Sequence, residues 1–436
     1  MKKTIYLLLS TILFSCANEE TNLMDELAYS NNQMELKTKR SIVDAMAVAQ
    51  ESLCLLDNVK TRSENQENRT IDYDSGIEIV TRSLTQSTSK ELDTLLYVFN
   101  FNDNKGFAIV SANLNTEALI AVTEKGHYNP MELQENEGFN TYMQLAKVYV
   151  SNSQNQSKNV RSLDRIQQHR YYEEVISETS YPKMINLEWG QRDVQGNLCP
   201  NGLCGCSPLA IAMVMSYYES PTSMSMDFNP SNIHTVYFDW DDMKNHIRTH
   251  SSSQSSCGTS NTGHNMISEL CRQIGKKAGS SYDIFYNGST LDSLTSTTIP
   301  GMCFCLNQYG YNASSESFSQ SNIISYLGSG HPIIVNAMTS PYGGGHTWVL
   351  DGYKSKTYYI HEQVKNEGDD LWTDINVYGP VSYAYNHMNW GFDGHSNGWF
   401  STSVYNMANP AISDNSLSLG NLNLQYNLSI ILSYPN

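Results

Sequence analysis

Residues 204–218 read Cys-Gly-Cys-Ser-Pro-Leu-Ala-Ile-Ala-Met-Val-Met-Ser-Tyr-Tyr, and this pattern predicts a buried helix that begins at a cysteine. Ser207 and Pro208 suit the first helical turn, because proline has no N–H to lose there. The residues that follow are apolar on nearly every face, which is typical of a central helix. At the N-terminus of such a helix the thiol of Cys206 is favoured as the thiolate, its nucleophilic form. Cys206 is therefore a candidate nucleophile, although an inert core thiol is the commoner explanation of an isolated cysteine.

A base, and a group that orients it, are predicted downstream. His346 follows three glycines that allow close approach to a substrate, and it opens an apolar strand. We expect Asn389 to accept the imidazole N–H through its side-chain oxygen, and Trp390 to shield that hydrogen bond from water. Alone, His346 is also explained as a loop histidine and Asn389 as a surface residue. Their positions 140 and 183 residues after Cys206 give the order and spacing of papain-like peptidases, which favours a catalytic set.

An oxyanion donor is predicted upstream, at Gln191, which lies 15 residues before Cys206. Its side-chain amide would donate to the oxygen that gains charge when the thiolate attacks a carbonyl. The backbone N–H of Cys206 would be the second donor. The alternative interpretation of Gln191 is a solvent-facing amide.

These residues lie in motifs that resemble the streptopain family of secreted bacterial cysteine peptidases, a branch of the papain clan. The matching motifs are Trp189-Gly190-Gln191, Gly205-Cys206, Gly344-Gly345-His346 and Asn389-Trp390-Gly391. Tyr97-Val98-Phe99 and the strand that begins at Gly106 also resemble the core strands of the family's prodomain. The resemblance implies an endopeptidase made as a zymogen, with no cofactor. It also implies a preference for a bulky apolar residue at the second position before the scissile bond.

The expected fold class is α+β. The chain after residue 171 has a helical half followed by a half rich in strands, which predicts two lobes with a cleft between them. We therefore expect a papain-like catalytic domain, with a helical lobe and an antiparallel β lobe, preceded by a small α+β prodomain. Residues 354–383 are expected to form a long hairpin inserted between the strands of His346 and Asn389.

The domain boundaries follow changes in composition. We predict a signal segment at 1–16, a polar tether at 17–40, a prodomain at 41–150, a linker with the activation cleavage region at 151–170, and the peptidase domain at 171–436. In the prodomain an amphipathic helix begins at Ser41, and strands precede a second helix. The linker contains Arg161, Arg165 and Arg170, which are accessible sites for proteolysis. We expect the prodomain to dock on the cleft and to hold part of the catalytic set out of place.

The N-terminus is predicted to direct export. Lys2 and Lys3 precede an apolar run that is too short to span a bilayer as a mature helix. The run ends in Leu13-Phe14-Ser15-Cys16, which looks like a lipobox, although an ordinary secretory signal is the alternative. We therefore expect a lipid on Cys16 to anchor the protein to the bacterial outer membrane or cell surface, from which cleavage in the linker would release the enzyme.

Charge limits the choice of partners. The formal net charge of −17 argues against nucleic acid and against direct binding to an anionic membrane surface. The expected partners are protein or peptide substrates, the chain's own prodomain, and the membrane through the lipid on Cys16. There are nine cysteines; setting aside Cys16 for lipid and Cys206 for chemistry leaves an odd number, so at least one more thiol is free or bonded to another molecule.

Three other functions were considered. A papain-like fold also serves amidases that cut cell-wall peptides, but these do not need a prodomain. A catalytically silent surface lipoprotein would not need the complete set of Gln191, Cys206, His346 and Asn389. A metal site at Cys199, Cys204 and Cys206 is disfavoured, because their spacing is poor for zinc and no fourth ligand is evident.

Overall fold

The computed structural model describes residues 39–57, 69–72, 77–83, 92–129, 136–152, 168–245, 262–287, 290–338, 345–365, 372–404 and 428–436. The predictions for the signal segment, for almost all of the tether, and for Arg161 and Arg165 lie outside the described residues. Within the described ranges, no helix is long and apolar enough to cross a membrane.

The N-terminal part has two helical layers around four strands. Helix α1 (Ile42–Glu51) begins after Ser41, whose hydroxyl accepts the Asp44 N–H at 3.1 Å, so the predicted helix start is confirmed. The remaining elements are α2 (Leu53–Asp57), β1 (Ile77–Ser83), β2 (Leu92–Asn100), β3 (Phe107–Ser111), β4 (Leu119–Thr123) and α3 (Glu137–Asn152).

The C-terminal part contains the remaining elements. Its helices are α4 (Cys206–Tyr218), α5 (Trp240–Asn245), α6 (Thr262–Lys277), α7 (Ile299–Gln308) and α8 (Gln320–Gly328). Its strands are β5 (Gln168–Tyr181), β6 (Ser223–Met226), β7 (His234–Tyr237), β8 (Ser281–Asn287), β9 (Thr290–Ser296), β10 (Tyr311–Ser317), β11 (Ile333–Met338), β12 (Gly345–Lys365), β13 (Thr373–Asn389), β14 (Gly398–Ser401) and β15 (Ser429–Pro435). The α+β class is confirmed.

One antiparallel sheet runs through both parts, in the order β1-β2-β3-β4-β14-β13-β12-β11-β15-β10, with β5 also on β12. Strand β4 pairs with β14 through Thr123 opposite Gly398 and Ala121 opposite Phe400. The sheet of the predicted prodomain continues into the sheet of the C-terminal part, because the edge of β4 is completed by β14. That residues 41–150 fold as a separate unit stays a prediction.

Of the three hydrophobic cores among the described residues, two correspond to the predicted lobes, and the third lies between the sheet and helices α1 and α2. The helical core surrounds α4, with α6 and α7 packed against it. The second core lies on the sheet, and α3 covers it; there Phe139 packs edge-to-face against Trp390 and Phe400. Because this second core contains side chains from both parts of the chain, it joins the prodomain to the β lobe.

Residues 354–365 and 373–383 form the two paired strands of the hairpin that was predicted, and residues 366–371 between them lie outside the described residues. Strands β12 and β13 pair from Val349 opposite Asn389 to Val364 opposite Thr373. Strand β5 adds a third strand along the outer part of β12. The half that was predicted to be mainly helical also contains the β8–β9 hairpin and β10, so the division into a helical and a strand half is less sharp than predicted.

Candidate active site

Cys206 is the first residue of α4, as predicted. Gly205 before it has φ +91°, and a Cβ there would lie 2.7 Å from Thr295 Cγ2, so this turn requires glycine. The ten residues after Cys206 are all buried, which fixes the helix. The thiol itself is half-buried at the positive end of the helix dipole.

His346 lies near the start of β12, and only 5% of its surface is exposed. Its ring is stacked with Trp348 at 13° and lies 6.4 Å from the ring of Trp390, measured between centroids. Nε2 lies 2.9 Å from the backbone oxygen of Trp390. Since that atom has a carbonyl partner, Nδ1 is the ring nitrogen left to interact with Cys206. The structure thus brings the two predicted catalytic groups together.

The two groups shift each other's ionisation. Burial raises the pKa of Cys206, but hydrogen bonds and charge from His346, with hydrogen bonds from Thr347, outweigh it and leave that pKa below its ordinary value. Burial lowers the pKa of His346, but the hydrogen bond and charge of Cys206 and the hydrogen bond to Trp390 raise it overall. Both shifts favour a thiolate beside an imidazolium.

The hydrogen bond predicted between Asn389 and the imidazole is not among those that the described residues make. Its amide nitrogen donates to the Leu187 carbonyl at 2.8 Å, and its side-chain oxygen accepts the Gly391 N–H at 3.1 Å. These hydrogen bonds fix the backbone on both sides of Trp390, whose carbonyl then meets His346. Asn389 therefore acts on His346 indirectly, through the Trp390 backbone, and not by the predicted direct hydrogen bond. Trp390 itself is fully buried and covers the site.

Gln191 lies next to the loop that carries the nucleophile, because its backbone oxygen accepts the Cys204 N–H at 2.8 Å. The neighbouring Trp189 carbonyl accepts the Asp393 N–H at 3.3 Å. The segment that contains Gln191 therefore lies between the Cys206 loop and the residues that follow Asn389. Its role as an oxyanion donor stays a prediction.

Asp351 is a positioning residue to which the sequence reasoning assigned no role. It is fully buried; its side chain accepts the Ile185 N–H at 2.8 Å, and its backbone oxygen accepts the Met184 N–H at 3.0 Å. These hydrogen bonds attach the strand of His346 to the segment that leads to Gln191. The signal in the sequence was a carboxylate inside an apolar strand, which requires buried partners.

Helix α3 of the N-terminal part covers His346 and Trp390. A Cβ at Gly138 would lie 2.3 Å from His346 Cδ2 and 2.7 Å from Trp390 Cε3, so the helix backbone rests directly on these rings. That the prodomain holds part of the catalytic set out of place stays a prediction. Beneath α3, His346 is still close enough to Cys206 for the two groups to shift each other's pKa, and the helix covers the imidazole.

The cysteines with described positions form no disulfide and no metal cluster. Cys199, Cys204, Cys206, Cys271, Cys303 and Cys305 are all free thiols. Among the residues with described positions, no group of three or more ligating side chains is arranged to hold a metal ion.

Two family profiles match this chain, one in its N-terminal part and one in its C-terminal part. Residues 189–400 match the profile of the Peptidase C10 family, and residues 36–150 match that of the Spi protease inhibitor family. No curated protein matches the sequence. A solved fragment of Prevotella intermedia prointerpain A is 19% identical, with a TM-score of 0.47, over 81% of this chain and 98% of that chain. This chain therefore belongs to the Peptidase C10, or streptopain, family of cysteine peptidases, with an inhibitor-type prodomain before the peptidase segment.

Proposed function

We propose that this chain is the exported precursor of a cysteine endopeptidase that hydrolyses peptide bonds in proteins. The observation that carries the proposal is the placement of Cys206 at the N-terminus of α4 beside the buried strand of His346: Ser207 and Thr347, the next residues, are hydrogen bonded at 2.8 Å, and the Trp390 carbonyl holds the imidazole. The pKa of the thiol is lowered there and that of the imidazole is raised. A thiolate and an imidazolium in contact are the nucleophile and acid that this reaction needs.

In the proposed mechanism the Cys206 thiolate attacks the substrate carbonyl. The oxygen takes up the negative charge and is stabilised by the Cys206 N–H and the Gln191 amide. His346 then gives its proton to the leaving amine, and the C–N bond breaks to leave a thioester on Cys206. Water, deprotonated by His346, attacks that thioester and releases the acid product and the thiol. The Trp390 carbonyl keeps the imidazole oriented throughout.

The same proposal includes latency. Helix α3 covers His346 and Trp390, so a substrate cannot reach the thiol until the helix moves. Cutting the linker would remove the high effective concentration that holds the prodomain in place. Loss of the prodomain would then open the cleft without any rearrangement of the catalytic pair.

Casein hydrolysis tests the chemistry. The protein treated with a trypsin-like protease should cleave casein, and a thiol alkylator should abolish this activity. Cys206→Ala should be inactive after the same treatment, with Cys204→Ala as the matched control that retains activity. Activity that persists in Cys206→Ala would disprove the assignment of the nucleophile.

Gly138→Ala tests the cover. The added methyl group has no room against His346, so α3 should dock less well. A clash of this kind costs roughly 1–3 kcal/mol. We therefore expect the uncut precursor to hydrolyse a peptide substrate about tenfold faster than wild type. The measurement is initial rate before any fragment is visible on a gel. Ala146→Gly, further along the same helix, controls for a general loss of helix stability. If the rate stays at the wild-type level, contact with His346 is not what limits access.

Export and anchoring are proposed from the N-terminal sequence alone. Cys16→Ser should move the protein out of the membrane fraction or block its processing. A wild-type protein that is wholly soluble outside the cell would overturn the lipid anchor and leave the peptidase proposal intact.

A further inference from the structure

A group of buried and half-buried charged side chains lies at the seam between β4 and β14. Glu124 follows β4 in the prodomain, and its carboxylate lies 2.6 Å from Lys183 Nζ. Its other oxygen faces Nε2 of His387 at 3.6 Å. Lys183 and His387 belong to the C-terminal part. A prodomain carboxylate is therefore seated between two cationic groups of the peptidase.

His387 is built into this place and is not a surface residue. Only 2% of its side chain is exposed, and its ring packs edge-on against Trp399. Nδ1 lies 2.6 Å from Asp351 Oδ1, inside the protein. Among the described residues Nε2 has no hydrogen-bond partner and faces Glu124. Asp351 thus holds the ring with one nitrogen directed toward the prodomain.

The charges favour a carboxylate at this place. Burial lowers the pKa of His387, but the charge and hydrogen bond of Asp351, together with Glu124, raise it to about 9. Burial raises the pKa of Glu124, but His387 and Lys183 outweigh it and bring that pKa well below its ordinary value. At neutral pH the seam therefore contains a carboxylate between an imidazolium and an ammonium group.

We propose that Lys183 and His387 form a carboxylate-binding site on the peptidase, and that Glu124 of the prodomain occupies it and closes the seam between β4 and β14. The site adjoins backbone hydrogen bonds that cross the same boundary, since the Glu124 N–H donates to the Asn397 carbonyl at 2.8 Å. Without Glu124, two cationic groups would be left partly buried with one fewer counter-charge, which is costly.

A second prodomain carboxylate provides a matched control. Glu117 also crosses the seam, but it accepts hydrogen bonds from the hydroxyls of Ser401 and Ser403 and contacts no described cation. Burial raises the pKa of Glu117, which is the opposite of the shift at Glu124. Replacement of Glu117 by Gln keeps an acceptor and removes a charge that has no partner cation there.

The test compares Glu124→Gln and Glu117→Gln in the full-length Cys206→Ala protein by hydrogen exchange. In Glu124→Gln the amides of 119–124 and 398–401 should exchange about tenfold faster than in the parent, because a buried ion pair is broken. In Glu117→Gln they should stay within about twofold. If Glu124→Gln does not fold, Lys183→Met removes the other side of the pair and should accelerate the same amides.

An NMR titration of histidine-labelled protein gives a second readout, the pKa of His387. A purely structural role of Glu124 would leave this pKa unchanged in Glu124→Gln. The His387 resonance, identified by its loss in His387→Gln, should titrate near 9 in the parent and at lower pH in Glu124→Gln. Equal exchange in both Gln variants, or an unchanged His387 titration, would overturn the proposal. Only the role of this site in latency rests on the proposed function. Neither measurement uses activity, so a negative result here would leave the peptidase assignment standing.

Discussion

The cleft and the seam each contain a buried imidazole, but the two rings have opposite surroundings. His346 in the cleft meets a thiol and a backbone carbonyl, so its proton has a reactive partner. His387 in the seam lies between the carboxylates of Asp351 and Glu124, which hold it charged. The same side chain therefore serves proton transfer in one region and fixed charge in the other, and the difference lies in the partners of its two nitrogens.

The comparison also separates two ways in which the prodomain holds the peptidase. Over the cleft it uses shape, because the backbone of α3 at Gly138 rests on His346 and Trp390. Along the seam it uses strand pairing and charge. Changes at the cleft should therefore alter activity first, and changes at the seam should alter docking and stability first.

Replacing each of the two histidines in turn is the strongest test of that separation. His346→Ala should reduce kcat/KM of the activated enzyme by about 10⁴-fold or more, because the base and acid of the reaction are removed. The main effect of His387→Gln should be a lower thermal midpoint, because Asp351 loses its buried partner. The measurements are peptide hydrolysis and thermal unfolding. A His346→Ala enzyme with substantial activity would contradict the assignment.

Gln191→Ala should produce the next largest effect. Removal of one oxyanion donor typically lowers kcat by about 10²–10³-fold, with little change in KM. Steady-state kinetics on a peptide substrate measures both constants, and the exposed Arg192→Ala variant controls for disturbance of the loop. If kcat is unchanged, another group stabilises the oxyanion.

The pH dependence should divide the two regions. The pKa of His387 is about 9, above its ordinary 6.5, so its contribution to stability, about 3 kcal/mol, is complete below pH 6.5 and is lost as the pH rises through 9. Denaturant midpoints of the Cys206→Ala precursor between pH 6 and 10 measure this loss, which should be smaller in His387→Gln. In the cleft the pKa of Cys206 is lowered, so alkylation of Cys206 in the activated wild-type enzyme, after the prodomain has been removed, should remain fast at a pH where an ordinary thiol has become slow. A denaturant midpoint of the Cys206→Ala precursor that does not change up to pH 10 would contradict the charged state of His387 in the seam.

Asn389→Ala should have the smallest effect on the chemistry. Because its side chain hydrogen bonds to the backbone around Trp390 and not to the imidazole, kcat should fall by about tenfold, well below the loss for His346→Ala. Two buried hydrogen bonds are lost as well, so the thermal midpoint should also fall. A loss of activity equal to that of His346→Ala would show that Asn389 orients the ring directly.

Much of the fold could be predicted because the signals are local. Ser41 and Asp44 predict the start of α1, and the apolar run after Cys206 predicts α4, since caps and periodicity depend on neighbouring residues. The continuous sheet could not be predicted in this way. The pairing of β4 with β14 joins residues that are more than 270 positions apart, and strand sequences do not specify which distant edge they will meet.

The same limit divides the site. The sequence by itself determined that Cys206 begins a buried helix and that His346 and Asn389 follow at peptidase spacing, because these features are residue types at given positions. Only the tertiary structure decided that the imidazole meets the Trp390 carbonyl, since every residue has a carbonyl and such a partner leaves no mark in sequence. Tertiary structure alone also placed Glu124 against Lys183 and His387, because the energy of a buried ion pair depends on distance and burial, which composition does not contain.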